Sequence, residues 1–249
     1  MRAFLIFTLW APLGAMGEIA VGERRTGFDR PAKSAIAGLL AAALGIERRE
    51  EERLLALAEG YGMAVRTDTP GDVLYDYHTA QVPSARKGLR WPTRRAELAE
   101  KELNTILSKR EYREGPWFTV ALWARPTAPE SLAGLAEALA RPRFTLYFGR
   151  KACPLGLPPS PMVFEAPDLA AALAAYDRER PSSIDRLRRR ICRPRPLGRL
   201  HLEADETTLL GERYRPLRIE RRRDRLLARR RWQFGLRDEL VAERREGAP

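Results

Sequence analysis

The chain has 249 residues, enough for one large domain or two small ones, and its 44% apolar content supports a buried core. Its net charge is +12, carried almost entirely by arginine, with lysine only at Lys33, Lys87, Lys101, Lys109 and Lys151. Two isolated cysteines (Cys153, Cys192) and two histidines (His78, His201) argue against a disulfide framework, a metal centre or a histidine-dependent triad, so no cofactor and a reducing cytoplasm are expected.

Residues 4–9 are apolar and read as a buried strand ending at a glycine loop; Pro12 and Gly14 interrupt what would otherwise look like a signal peptide. No stretch reaches the roughly 20 apolar residues that span a bilayer, so no membrane partner is expected. A polar loop over residues 14–30 carries Arg24, Arg25 and Arg30, and Pro31 then opens a helix that runs to Leu44 and stops at Gly45. A second helix over residues 50–59 leads into strands at 63–67 and 73–78.

Residues 80–116 read as a polar, basic insertion. Within it, 97–103 suits a helix, while 105–112 alternates as a strand would, with Ile106, Ser108, Arg110 and Tyr112 on one side; periodicity alone does not separate the two. A buried strand at 117–123, a helix at 129–140 and a strand at 143–148 follow. The first 150 residues therefore predict the βαββαβ order of an α+β, ferredoxin-like (RRM-like) domain. Residues 151–249 predict a smaller, strand-rich C-terminal lobe: a proline-rich stretch at 153–161, an alanine-rich helix at 168–176, an arginine cluster at 181–196, and strands at 197–203 and 229–234.

Arginine presents a planar fork of donors that matches phosphate and stacks on bases, so the charge points to nucleic acid as a partner. A GC-rich gene would account for the excess of arginine over lysine but not for the net charge.

Five ordered stretches carry a resemblance. They are residues 4–17, ending Ala15-Met16-Gly17; Arg30-Pro31-Ala32-Lys33-Ser34 with the alanine-rich run 38–45; Asp76-Tyr77-His78-Thr79; Arg110-Glu111-Tyr112 leading into 118–122; and, most specific, residues 141–154 around Phe148-Gly149-Arg150-Lys151. Together they resemble the Cas-five family of CRISPR-associated proteins, in the form found in subtype I-E Cascade complexes. Family members usually carry Trp where Met16 stands. Arg223-Asp224 with Arg231-Trp232-Gln233-Phe234 echoes the family's final segment more weakly.

The resemblance implies a ferredoxin-like palm (residues 1–150), a β-hairpin thumb formed by the insertion at about 80–116, and a variable C-terminal lobe (151–249). It also implies a non-catalytic subunit that holds the 5′ handle of CRISPR RNA and contacts the CasC backbone subunits and the CasA large subunit, with target DNA as a further candidate partner.

Gripping a single-stranded end requires phosphate ligands, donors for base edges and planar stacking groups. Lys33 and Ser34 lie in a first helical turn, where free N–H groups favour phosphate, although Ser34 reads equally as an ordinary early-helix residue. Arg24 and Arg25 sit in the glycine loop as a clamp or as a solvated pair. Tyr77 and His78 can stack or donate hydrogen bonds, or simply pack. Lys109, Arg110 and Tyr112 belong to the thumb, with Arg110 the first choice for contact with the handle. Arg143, Arg150 and Lys151 bracket the most specific motif, where Gly149 would let the backbone approach a ligand.

The competing expectation is a metal-independent endoribonuclease that processes precursor RNA, using His78 with Tyr77 and Lys87 or Lys109.

Overall fold

The computed structural model describes residues 1–18, 20, 22–86, 88–192 and 198–245. In chain order the elements are β1 (Arg2–Trp10), β2 (Leu13–Gly14), β3 (Arg24–Arg25), α1 (Lys33–Leu44), α2 (Glu51–Glu59), β4 (Tyr61–Thr69), β5 (Asp72–Pro83), α3 (Arg94–Glu97), β6 (Leu103–Glu114) and β7 (Trp117–Ala124). They continue with α4 (Leu132–Ala140), β8 (Met162–Ala166), α5 (Leu169–Glu179), α6 (Ser182–Ile191), β9 (Arg199–Glu203), a 3-10 segment (Ala204–Leu209), β10 (Tyr214–Ala228) and β11 (Gln233–Arg244).

A seven-stranded antiparallel sheet in the order β10-β11-β9-β4-β7-β1-β8 forms the frame. Its central strands are apolar on both faces because both faces are covered. Leu5, Phe7 and Leu9 of β1, with Val65, Val120 and Leu122, pack under α1, α2 and α4. Phe4, Ile6 and Trp123 face the opposite way and pack against Leu169, Leu173 and Tyr176 of α5. Gly45 ends α1 in a left-handed conformation (φ 75°), and Ile46 N–H returns to the Ala41 carbonyl at 2.8 Å.

Three expectations fail. Residues 143–148 do not form a strand, because their backbone groups are used elsewhere. The N–H groups of Arg143 and Phe144 donate to the carbonyls of Ala43 and Ala42, and the Phe148 carbonyl accepts from Ala15. The free edge of β1 pairs instead with β8, beyond the expected boundary at residue 150. Residues 229–232 are not strand but the turn joining β10 to β11, with Trp232 in a left-handed conformation (φ 54°), and of the expected strand only Gln233 and Phe234 are extended, as the start of β11. The stretch expected as an insertion from about residue 80 is part of a hairpin that begins earlier, since β5 pairs with β6 along its whole length from Asp72.

The expected strand at 197–203 is found as β9; residue 197 and the end of the arginine cluster, residues 193–196, lie outside the described residues. From β9 onward the C-terminal strands extend the main sheet through the β4–β9 pairing rather than closing a sheet of their own.

Buried charge joins these strands to the first half. Arg30 and Arg222 are nearly sealed from solvent and converge with Arg237 on the buried Glu239, and Arg30 also meets Glu220. Burial alone would raise the Asp224 carboxyl, but hydrogen bonds and charge from Arg237, with the charge of Arg222, hold it below the usual carboxylate range. Removing one member would leave a partner's charge buried and unpaired.

Candidate nucleic-acid interface

β6 is the hub of a second, four-stranded sheet. β5 pairs with its full length, from Asp72↔Glu114 to Pro83↔Leu103, and forms a long hairpin whose first strand is exposed along most of its course. The other edge of β6 is covered only at its base: β2 pairs at Arg113 and Glu114, and β3 pairs in parallel at Lys109 and Arg110. This parallel register sets Arg24 opposite Lys109 and Arg25 opposite Arg110, with Lys109 N–H donating to the Glu23 carbonyl at 2.9 Å.

Strand alternation sorts the hairpin into two faces. Tyr75, Tyr77 and Lys109 share one, and the Lys109 ammonium lies 4.0 Å from the Tyr75 ring centre. Tyr77 is 64% exposed. Asp76, His78, Arg110 and Tyr112 share the other, where His78 Nε2 contacts the Asp76 carboxylate. At the base, Arg150 stacks 4.4 Å from the Tyr112 ring centre and donates to the Glu111 carbonyl at 3.1 Å.

Several of these cations lack the internal counter-ion that the buried arginines have. Arg66, for example, is buried against Asp68 and Asp177. Arg24, Lys109, Arg110, Arg143 and Lys151 meet no carboxylate among the described residues, and Arg25 and Arg150 direct donors at backbone carbonyls. Cations left without an internal counter-ion suit an external polyanion.

Lys33 and Ser34 are placed elsewhere. The first turn of α1 is already capped, because Lys33 N–H donates to Asp224 Oδ2 at 2.8 Å, while the Lys33 ammonium pairs with Glu203. Burial lowers the Lys33 pKa from its ordinary value. Both residues line a cleft of about 810 Å³ together with Glu203, Asp224 and Asp238, whose carboxylates occupy the place read from sequence as a phosphate seat. Arg143 lies over Gly45 at the end of α1, and Lys151 is exposed beyond Arg150. Gly149 serves a close backbone approach within the chain: the Ala15 carbonyl fills the space a side chain would need. Cys153 is packing, and burial pushes its thiol up.

For the nuclease expectation, His78 and the pair Tyr77 and Lys109 project from opposite faces of the hairpin, and Lys87 lies outside the described residues. Sequence reading overlooked Tyr75, although it alternates with Tyr77 in the same strand. Stretches far apart in sequence thus meet at the hairpin base, where Ala15 N–H donates to Phe148 and Arg150 to Glu111, while Arg143 N–H donates to Ala43 at the end of α1.

Residues 4–238 match the family model described as CRISPR-associated protein (Cas_Cas5). The chain belongs to this family. Within it, the chain is 38% identical over 186 residues to the "CRISPR system Cascade subunit CasD" of Escherichia coli (strain K12), covering 71% of this chain and 78% of that protein. Its fold is shared with a chain solved in a "CRISPR RNA-guided surveillance complex" (TM-score 0.58, 23% identity, 97% of this chain and 90% of that chain). A second solved structure, "Crystal structure of Cas protein", gives a TM-score of 0.60 at 25% identity, covering 99% of this chain and 97% of that chain. Like both, this family member has a mixed α/β fold. Among its described residues no helix is long and apolar enough to cross a membrane.

Proposed function

We propose that this chain is the Cascade subunit that holds the 5′ handle of CRISPR RNA, acting in the cytoplasm by binding and assembly rather than catalysis, with CasC backbone subunits and the CasA large subunit as its protein partners. The observation that carries the reading is the parallel register of Arg24–Arg25 against Lys109–Arg110, which gathers unneutralised cations at the root of an exposed arm. Tyr75, Tyr77 and the Arg150–Tyr112 stack supply planar groups beside them, so phosphate and splayed bases find complementary partners.

The antiparallel order β8-β1-β7-β4, with α1, α2 and α4 on one face, supports reading these strands as a ferredoxin-like palm and the β5–β6 hairpin as its thumb. In this reading β9 to β11 form the C-terminal lobe, which is fused to the palm through sheet pairing and the Glu239 network.

The test is to incubate the chain with repeat-derived RNA in EDTA. Tight binding of handle-bearing RNA, recovered intact, is the expected result. Cleavage that depends on His78 would overturn the non-catalytic reading, and equal affinity for RNA lacking the handle would overturn handle recognition.

A further inference from the structure

The turn between β10 and β11 carries a second cationic and aromatic site. Trp232 stands 60% exposed at its tip, with the Arg229 guanidinium 3.8 Å and the Arg48 guanidinium 6.0 Å from its ring centre. Arg48 comes from the turn between α1 and α2, and a hydrogen bond from Arg230 N–H to Glu51 (3.3 Å) holds the two turns together. Neither Arg48 nor Arg229 meets a carboxylate among the described residues. Burial, followed by the charge of Arg48, lowers the Arg229 guanidinium from its ordinary value, with Tyr147 a smaller opposing influence, so two like charges are held close together.

The backbone adds a second reason. A bulky residue in the left-handed region is strained where glycine would be relaxed, and such strain persists where a side chain is held in place by its surroundings. Here it presents an indole, tilted against Phe234 (6.5 Å), to solvent.

An exposed ring flanked by unpaired guanidiniums fits a base stacked over a phosphate. Trp232 and its arginines lie on the main sheet's last hairpin, separate from β5 and β6, and nothing in the handle reading assigns them a role. We infer that Trp232, Arg48 and Arg229 form a second binding site for a single-stranded polynucleotide.

The experiment is fluorescence anisotropy of the full chain with labelled oligothymidylate and oligouridylate across a salt series. Trp232→Ala should weaken binding about tenfold, while Trp232→Phe retains most of it, consistent with base stacking. The exposed pair Arg48→Glu and Arg229→Glu should reduce the slope of log affinity against log salt by roughly 1 to 2. Arg110→Ala should leave the Trp232 effect unchanged, so failure of the hairpin reading and failure of this one are separable. A loss with either oligonucleotide supports the site, and the arm affected identifies the strand it takes. Wild-type affinity and salt slope in these variants would overturn it, as would a defect confined to association with partner subunits.

Discussion

Gly149 and Ala15 touch through backbone: a β-carbon on residue 149 would sit 1.7 Å from the Ala15 carbonyl oxygen. Gly149 also has φ at +89°, a region that side chains rarely adopt, and the adjacent Phe148 carbonyl accepts from Ala15 N–H at 2.9 Å. The contact seats the loop that carries Arg150 against the root of the hairpin. Gly149→Ala should therefore lower stability by about 3 kcal/mol, from clash and backbone strain together, as read by denaturant unfolding. It should also weaken RNA binding by displacing Arg150 from Tyr112.

Gly38 is the contrasting case. It lies exposed inside α1, and a β-carbon there would meet nothing within 4 Å. Gly38→Ala should raise stability by roughly 0.5 to 1 kcal/mol, because helical alanine loses less conformational entropy. A lower melting temperature for this variant would show that α1 is constrained in a way its packing does not reveal.

Arg24 and Lys109 face each other across a register set by only two residue pairs of β3. If both hold the same stretch of RNA backbone, Lys109→Ala and Arg24→Ala should each weaken handle binding by about 1 to 3 kcal/mol, the range for a charged hydrogen bond. Their double variant should be non-additive by about 0.5 kcal/mol or more, since the side chains share a ligand. Strict additivity in titrations with handle-bearing RNA would mean that β3 and β6 act on separate phosphates.

Much of this architecture is legible in the chain because the central strands bury both faces: the apolar runs at 4–9 and 117–123 have no other stable place in a soluble domain. The hairpin is harder to read. β5 is exposed along most of its course and β6 is half-buried at best, so no buried run marks where they begin, and the strand expected at 73–78 turns out to be the first half of β5. Residues 143–148 mislead for the opposite reason. Leu146 and Phe148 are buried at the spacing of a strand, yet the backbone of this stretch bonds to Ala42, Ala43 and Ala15 rather than to a strand. The surroundings of Lys33 depend on Asp224 and Glu203, partners so remote in sequence that no local pattern announces them. Arg24 and Arg25 are visible as candidates, but only the parallel pairing shows which residues of β6 they join.

His201 gives the fold a pH signature above the range of the carboxylates. It is buried in β9 with Nδ1 unsatisfied, near Arg30, Arg222, Glu239, Glu220 and Asp29. Burial, then the charge of Arg30, lowers its pKa from 6.5 to about 3, outweighing the nearby carboxylates. The unfolded chain takes up a proton near 6.5 and the folded chain only near 3, so between these values the unfolded state binds more protons. Stability must then fall as pH drops through that window, by roughly 1.4 kcal/mol per unit once His201 titrates fully in the unfolded state. The contributions of Asp177, Asp224 and Glu220, whose folded values are lowered, are present above their ordinary 3.8 to 4.5 and are lost only below it. The interval from pH 6.5 to 5 therefore belongs to His201. Urea unfolding across it should show a slope in the native chain that flattens in His201→Gln; an unchanged slope would mean that another group carries the proton.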